Sequence, residues 1–343
     1  MHMWFQKNTE VICVGSASQD IFFPTDEGVI LETPEDITAK QKIAFELGGK
    51  YRVEDRYEAI GGVAANVACG LARLGRSVAA YSCIGGDEMG RFILRELARL
   101  KVATHLVHTF PDAKTDLSAI IVVPSTGERT IFHNRDANER LIVESAKLKD
   151  TKWLFVSALN GDWRTNLATL FEAKQPYGLS IAYNPGQHNI REDAKRIFSV
   201  LPNVDVLLLN KDEAIELLMQ QPVRPSDDEL NDEAYLLRAL NRLGVGVIGM
   251  TDGKRGAWAS DGQEMWHCPI HTRTAVVDST GAGDAFGSGF FASYLAGQTL
   301  DQALVSGIAN SGSVVGAYGA IEGLLDMPLR DELVTHIVAE RLS

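Results

Sequence analysis

The stretch Asp278-Ser279-Thr280-Gly281-Ala282-Gly283-Asp284-Ala285-Phe286 carries the residues best equipped for chemistry. The run Ala275-Val276-Val277 ahead of it reads as a short strand, the glycines as a turn, and the residues after them as a helix that also contains Gly287 and Gly289. Each glycine in a helix costs about 0.5–1 kcal/mol relative to alanine, so the cluster implies close backbone packing or close approach of a ligand. Free N–H groups at a helix start hold anions. Asp284 at that end can take a proton from a substrate hydroxyl while the Gly281-Ala282-Gly283 amides hold charge developing on a transferred phosphoryl group. The plainer alternative is that Asp284 only complements the helix dipole and the glycines admit a neighbouring element.

Other constellations are spread along the chain. Gly61-Gly62-Val63-Ala64-Ala65-Asn66 opens a helix whose apolar, small-residue face carries Asn66, a side chain suited to a ligand hydroxyl. Asp20 follows the first apolar run, and a carboxylate accepts two sugar hydroxyls at once. A satisfied buried Asn and a turn-capping Asp are the competing readings. Asn210-Lys211-Asp212-Glu213 has the residues to position hydrated Mg²⁺ or phosphate, or simply to form a capping box. Thr251-Asp252-Gly253-Lys254-Arg255-Gly256 suits a turn around a nucleotide, or a plain hairpin turn. Gly281-x-Gly283-x-x-x-Gly287 imitates a dinucleotide fingerprint and supports a rival reading as a nicotinamide-dependent oxidoreductase. However, the segment Leu300–Tyr318 beyond it reads as helix, whereas a Rossmann half needs further strands. Gly249–Arg255 is too short for a P-loop and has Arg255 where Ser or Thr belongs. His267 and His271 flank Pro269 in what reads as an ordinary strand rather than a metal site.

The elements that must position these residues alternate. Val11–Gly15, Val78–Ile84, Trp153–Ala158, Gly178–Tyr183, Val204–Leu209 and Val245–Met250 are short apolar runs of buried-strand type. Between them, helical spacing links Ala64, Val67, Ala68, Leu71 and Leu74, then Phe92 to Leu100, then Ala214, Leu217 and Leu218. Alternating strands and helices mean βαβ units and a mostly parallel sheet. Two segments break the rhythm: Pro24 to Tyr57 is polar and acidic, and Asp116–Val123 with Arg129–Asn134 reads as a hairpin around Pro124-Ser125-Thr126-Gly127. Together they make a small sheet usable as a lid. The expected organisation is one domain over 11–335, with lid segments at about 21–60 and 109–136.

Composition agrees with a soluble globular protein: of 343 residues, 45% are hydrophobic and 23% charged, which excludes a disordered chain. The net charge of −12 argues against nucleic acid or an anionic membrane as partner, but leaves phosphate ligands open. Cys13, Cys69, Cys83 and Cys268 form no CxxC pair and read as reduced thiols. No apolar run approaches the roughly 18–20 residues of a membrane span, and Met1–Glu10 lacks the apolar core of a signal peptide, so the expected location is the cytoplasm.

Taken in order, these motifs resemble the ribokinase-like, or phosphofructokinase-B, family of carbohydrate kinases, from roughly Val11 to Leu325. Asp278–Phe286 is similar to the family's C-terminal signature. Gly61-Gly62-x-x-x-Asn66-x-Ala68, followed by Leu71-Ala72-Arg73-Leu74-Gly75, is similar to its N-terminal one. The resemblance implies an α/β fold with a central, mostly parallel sheet flanked by helices and a small β-sheet lid. It implies ATP-dependent phosphorylation of a sugar or sugar-like hydroxyl, with Mg²⁺. Carried over, Asp284 is the base and Gly281, Ala282 and Gly283 the anion hole. Asp20, Gly61, Gly62 and Asn66 hold the acceptor, and Arg135, in the second lid segment, pairs with an anionic group on it. Asn210 and Glu213 organise Mg²⁺ and phosphate through water. Thr251, Gly253, Gly256 and Asn310 line the nucleotide site. Asp278, Thr280 and Gly319 are positions for a monovalent cation such as K⁺. The long stretch between Asp20 and Gly61 departs from the ribokinase pattern and leaves room for another acceptor, including a nucleoside. Lids of this kind pair between subunits, which implies a homodimer. Besides the oxidoreductase, the remaining rival is a non-catalytic sugar or nucleotide sensor, which has no need of a base.

Overall fold

The computed structural model describes residues 9–33, 41–125, 127–271, 275–327 and 334–342. Most of the stretch before the first strand, Thr126 in the expected hairpin turn, part of the first lid segment and part of the expected domain end therefore lie outside the described residues. In the first part of the chain come β1 (Val11–Val14), β2 (Ser18–Pro24), β3 (Val29–Glu32), β4 (Gln41–Ala44), β5 (Tyr57–Gly61), α1 (Val63–Arg73), β6 (Val78–Tyr81), β7 (Cys83–Gly85), α2 (Glu88–Arg99), β8 (His108–Phe110), β9 (Leu117–Val123) and β10 (Glu128–Asn134). Next are β11 (Trp153–Val156), α3 (Trp163–Glu172), α4 (Lys174–Tyr177), β12 (Ser180–Tyr183), α5 (Gln187–Val200), β13 (Val206–Asn210), α6 (Lys211–Leu218), α7 (Asp227–Asn231), α8 (Glu233–Arg242) and β14 (Val247–Thr251). The last are β15 (Ala257–Ser260), β16 (Met265–Cys268), α9 (Ala282–Leu295), α10 (Leu300–Val314) and β17 (Glu340–Leu342).

Among the described residues, nine strands form one sheet in the order β17-β16-β15-β14-β13-β12-β11-β1-β6. The pairs from β6 through β14 are parallel, and β15, β16 and β17 add antiparallel strands at one edge. Parallel strands are covered on both faces, which is why β1 and β6 are apolar and buried at every position. The chain leaves β1 for β6 on one side and returns to β11 on the other. Ligands of such sheets bind where the order reverses, outside the carboxyl ends of the strands.

A second sheet, β10-β9-β2-β5, stands beside the first. Its register puts Asp20, Phe22, Ala59, Ser118, Ile120, Val122, Arg129, Ile131 and His133 on one face. Phe22, Ala59, Ile120 and Val122 are buried there against Tyr318 of the main body, and Tyr57 stacks on the same tyrosine with ring centroids 4.4 Å apart. The polar stretch after β2 contains the two-stranded ribbon β3–β4, whose first strand is exposed throughout. All four cysteines are buried and unpaired.

Helix α9 is buried over nine successive residues from Ala285 to Ser293, because it runs between the sheet, α1 and α10. Its glycines make this possible: a Cβ on Gly289 would lie 2.6 Å from Ser306 O, and Gly70 of α1 meets Ser288 just as tightly. Two sequence readings need correction here. Ala275–Val277 is irregular rather than a strand, with Val276 exposed and Val277 N donating to Val315 O. Helix α10 ends at Val314 instead of reaching Tyr318.

Candidate active site

The Gly281-Ala282-Gly283 turn has the tight packing its glycines imply. Gly281 begins α9 in the left-handed conformation at φ 74°, and a Cβ there would fall 2.2 Å from the Ala320 methyl. Only glycine satisfies both the torsion and the space. Among the described residues no side chain caps the helix; Ala282 N donates to Ser279 O at 3.3 Å, and the other first-turn N–H groups are left for a ligand. On the Gly283 side a Cβ would meet nothing within 4 Å, which marks the open side of the turn.

Asp284 sits in this first turn and accepts a 2.8 Å hydrogen bond from Asn66 Nδ2, joining two signatures 218 residues apart in sequence. Asn66 Oδ1 is buried with no partner, an acceptor waiting for a donor. Asp284 is half-buried as a residue, but protein atoms crowd its carboxyl group. That desolvation pushes its pKa up to about 7; the Asn66 hydrogen bond opposes the shift, while the nearby carboxylates of Asp20 and Glu213 reinforce it.

Asp20 lies on β2 within the small sheet, not in a loop after β1, and faces the same site. Burial raises its pKa, and hydrogen bonds from Ser118 and Ser18 oppose that rise. Gly61, which pairs with Ser18, lies diagonally across from Asp20, and a Cβ there would come within 2.2 Å of the Asp20 carboxylate. Gly62 caps α1 at φ 88°, where a Cβ would strike Ser16 O. Arg135 leaves β10 at the same end, with Nη1 donating over 2.6 Å to Asn160 Oδ1 just beyond β11.

Asn210 and Thr251 are register partners at the carboxyl ends of β13 and β14, so the two donor-side motifs meet there. Asn210 and Glu213 do form a capping box: Oδ1 of Asn210 accepts from Glu213 N, and Glu213 Oε2 from Asn210 N. Gly253 and Gly256 shape the β14–β15 hairpin, Gly256 because a Cβ would overlap Cys268 O. Asp278 is fully buried and draws Thr280 and Gly319 together. Its Oδ1 accepts from Thr280 N at 3.0 Å and Oγ1 at 2.7 Å, its Oδ2 from Gly319 N at 3.3 Å.

Asn310 is a correction. It is fully buried, its Nδ2 donates to Ala285 O and Ser288 Oγ, and its Oδ1 accepts from Leu325 N. With its amide spent on α9–α10 packing, it holds helices together instead of bordering a base. The dinucleotide reading of Gly281-x-Gly283-x-x-x-Gly287 also fails, since among the described residues no strand runs into α9 and Gly287 touches Leu208 of β13 rather than an open surface. The sequence reading passed over Arg129, whose Nη1 donates to Ser279 Oγ beside the anion turn. Its signal was a lone cation on the inward-facing phase of the predicted hairpin.

A family model for pfkB family carbohydrate kinases matches residues 8–327. The ATP-dependent 6-phosphofructokinase of Thermoanaerobacterium thermosaccharolyticum is 27% identical over 301 residues, covering 83% of this chain and 88% of that protein. A nucleoside kinase of Methanocaldococcus jannaschii is 24% identical over 343 residues, 98% of this chain and 99% of its own. In fold, the chain is similar to Arabidopsis thaliana ribokinase solved with ribose and ATP, at a TM-score of 0.75 and 19% identity, over 95% of this chain and 98% of that one. On this match across nearly the whole chain, the protein belongs to the pfkB family of carbohydrate kinases, phosphotransferases that act on a hydroxyl acceptor.

Proposed function

We propose that Asp284 is the general base of an ATP-dependent transfer to a hydroxyl of a sugar or sugar-like acceptor, and that Gly281, Ala282 and Gly283 form the anion hole. The observation that carries this is the Asn66–Asp284 pair at an uncapped helix start, with Asn66 Oδ1 left unpartnered. A base held at 2.8 Å by one amide, with that amide's free oxygen beside it, suits an acceptor whose reacting hydroxyl gives its proton to Asp284 while a neighbouring hydroxyl donates to Asn66 Oδ1. Asp20 on the facing sheet takes further acceptor hydroxyls, with Gly61 and Gly62 leaving room for them. Arg135, which pairs with no acidic side chain among the described residues, reads an anionic substituent on the acceptor. The small sheet then acts as a lid that excludes water, so that ATP is not hydrolysed. Its outer face, where Phe132 is 59% exposed, supports pairing of two lids in a homodimer.

Thr251, Gly253 and Gly256 line the nucleotide. Asn210 and Glu213 are spent on one another, so Mg²⁺ is held there through water and the donor's own phosphates. Bound Mg²⁺ neutralises charge on the β- and γ-phosphates. A buried Asp278 with no cationic partner among the described residues, flanked by Thr280 and Gly319, suits a monovalent cation such as K⁺.

The reading is tested by ADP release with MgATP, with and without K⁺, across ribose, fructose, 2-keto-3-deoxygluconate, hexose phosphates, adenosine, inosine and cytidine. We expect release that depends on one acceptor class. Silence across the panel from folded protein that binds ATP would favour a sensor. With that acceptor, kcat/KM should rise about tenfold per pH unit on the acid side and level off above about 7, because only the ionised Asp284 accepts the proton. A flat profile from about pH 5.5 to about 9 would remove Asp284 as the titrating base.

A further inference from the structure

We infer that Arg129 reaches the γ-phosphate of the nucleotide donor from the small sheet and supplies the positive charge that the anion turn lacks. This rests on the kinase reading above and adds a residue to it. The register acts as a ruler along the inner face of the sheet. Arg129 pairs with Val122, and Val122 with Pro24; Asn134 pairs with Leu117, and Leu117 with Gln19. Arg135, one residue past Asn134, is therefore at the level of Ser18, two residues from that of Asp20 and at the same end of the sheet, where the acceptor is placed. Arg129 lies six residues away, about 20 Å at 3.3 Å per residue, at the other end of the site. There it meets the loop of the anion turn: its Nη1 donates to Ser279 Oγ, and Gly127 at the hairpin turn faces Val276.

The charge balance at this end calls for a cation. Asp20, Asp278, Asp284 and Glu213 lie close enough that their charges act on one another. Two of the donor-side cations are already committed: Lys211 and Arg255 both bind Glu233, and both lie near Asp252. Arg129 pairs with no carboxylate among the described residues, and its Nε is buried without any partner. A buried N–H without a partner is costly, so the position makes sense when something else binds there. One edge of the guanidinium is held by Ser279, which leaves the Nε edge for phosphate oxygens.

In the transfer, the acceptor oxygen bonds to the γ-phosphorus as the bond from that phosphorus to the β–γ bridging oxygen breaks. The acceptor's proton passes to Asp284 and the electron pair of the broken bond stays on ADP. Arg129 holds charge on the non-bridging oxygens, and its position on the sheet makes lid closure depend on their presence.

The test compares Arg129→Gln and Arg129→Lys with wild type in kcat and in KM for each substrate. It also compares calorimetric affinity for MgADP alone with affinity for MgADP plus aluminium fluoride, which mimics the transferring group. For R129Q we expect kcat down by about 100-fold or more, acceptor KM within about threefold, MgADP affinity unchanged and the gain from fluoride largely lost; R129K falls between. A lid contact of purely structural worth would not single out the fluoride complex. The inference is overturned if R129Q keeps kcat within about threefold, if only acceptor KM rises, or if fluoride tightens MgADP equally in both proteins. The calorimetry needs no turnover, so it decides the role of Arg129 even if wild type phosphorylates no acceptor in the panel, an outcome that would instead count against the kinase reading.

Discussion

Replacing Asp284 with Asn should leave the protein folded and cut turnover about 1,000-fold, within the usual range of about 10²–10⁴ for a positioned general base. The substitution keeps the size of the side chain and can keep a hydrogen bond to Asn66, but it removes the carboxylate at the helix start that can take a proton. A loss of less than about tenfold would mean that another group, or water, accepts the acceptor's proton. Stability should move the other way. Asp284 is raised from 3.8 to about 7 in the folded protein, so the stability it contributes is fully present below its unfolded pKa and is lost as pH rises through about 7. The neutral Asn carries no such loss. Above about pH 7, D284N should therefore melt at a higher temperature than wild type, and near pH 4 the two should converge. Calorimetric melting at both pH values separates an inactive, well-folded variant from a damaged one.

Much of this site was legible because its local rules are strict. A parallel strand covered on both faces must be apolar along its length, so β1, β6, β11 and β13 announce themselves. A helix that starts at Gly281 with Gly283 behind it has few structural excuses, and Asn66 stands out on a face of small residues. What stayed hidden depends on partners distant in sequence. Nothing local says that Asn66 and Asp284 share a hydrogen bond, that Asp20 belongs to a strand of the second sheet, or that Asn310 serves helix packing. Ala275–Val277 looked like a strand because two adjacent valines suit one, yet among the described residues no neighbouring strand receives it. The edge strand β17 has three residues, mostly exposed, too short to show an alternation. Arg129 was hidden for a related reason: alternation reveals which face a residue takes, but not that Ser279 lies opposite it.

Gly281 offers the second large effect, and it tests the anion hole separately from the base. At φ 74° any residue with a Cβ pays about 1–2 kcal/mol in strain, and the added atom would lie 2.2 Å from the Ala320 Cβ and 2.4 Å from its Cα. Neither neighbour is a flexible side-chain end, so the turn itself must shift by about an ångström. Hole donors work at about 2.7–3.1 Å from the developing charge, and losing one costs about 10²–10³ in kcat. Gly281→Ala should accordingly lower kcat by about 100-fold and lower the melting temperature as well. Gly283→Ala is the informative contrast. Its Cβ meets nothing within 4 Å and the residue is helical, so G283A should fold at least as stably as wild type. The added methyl would nevertheless stand on the open side of the turn, where the proposed transfer puts the phosphoryl group, so activity should fall without any loss of stability. Adding Ala320→Gly to G281A removes the nearer clash but leaves the overlap with the backbone at that position and the strained torsion, and should restore activity only in part. If G281A kept kcat within about threefold of wild type, the turn would be a packing device and the charge on the transferring group would have to be held elsewhere.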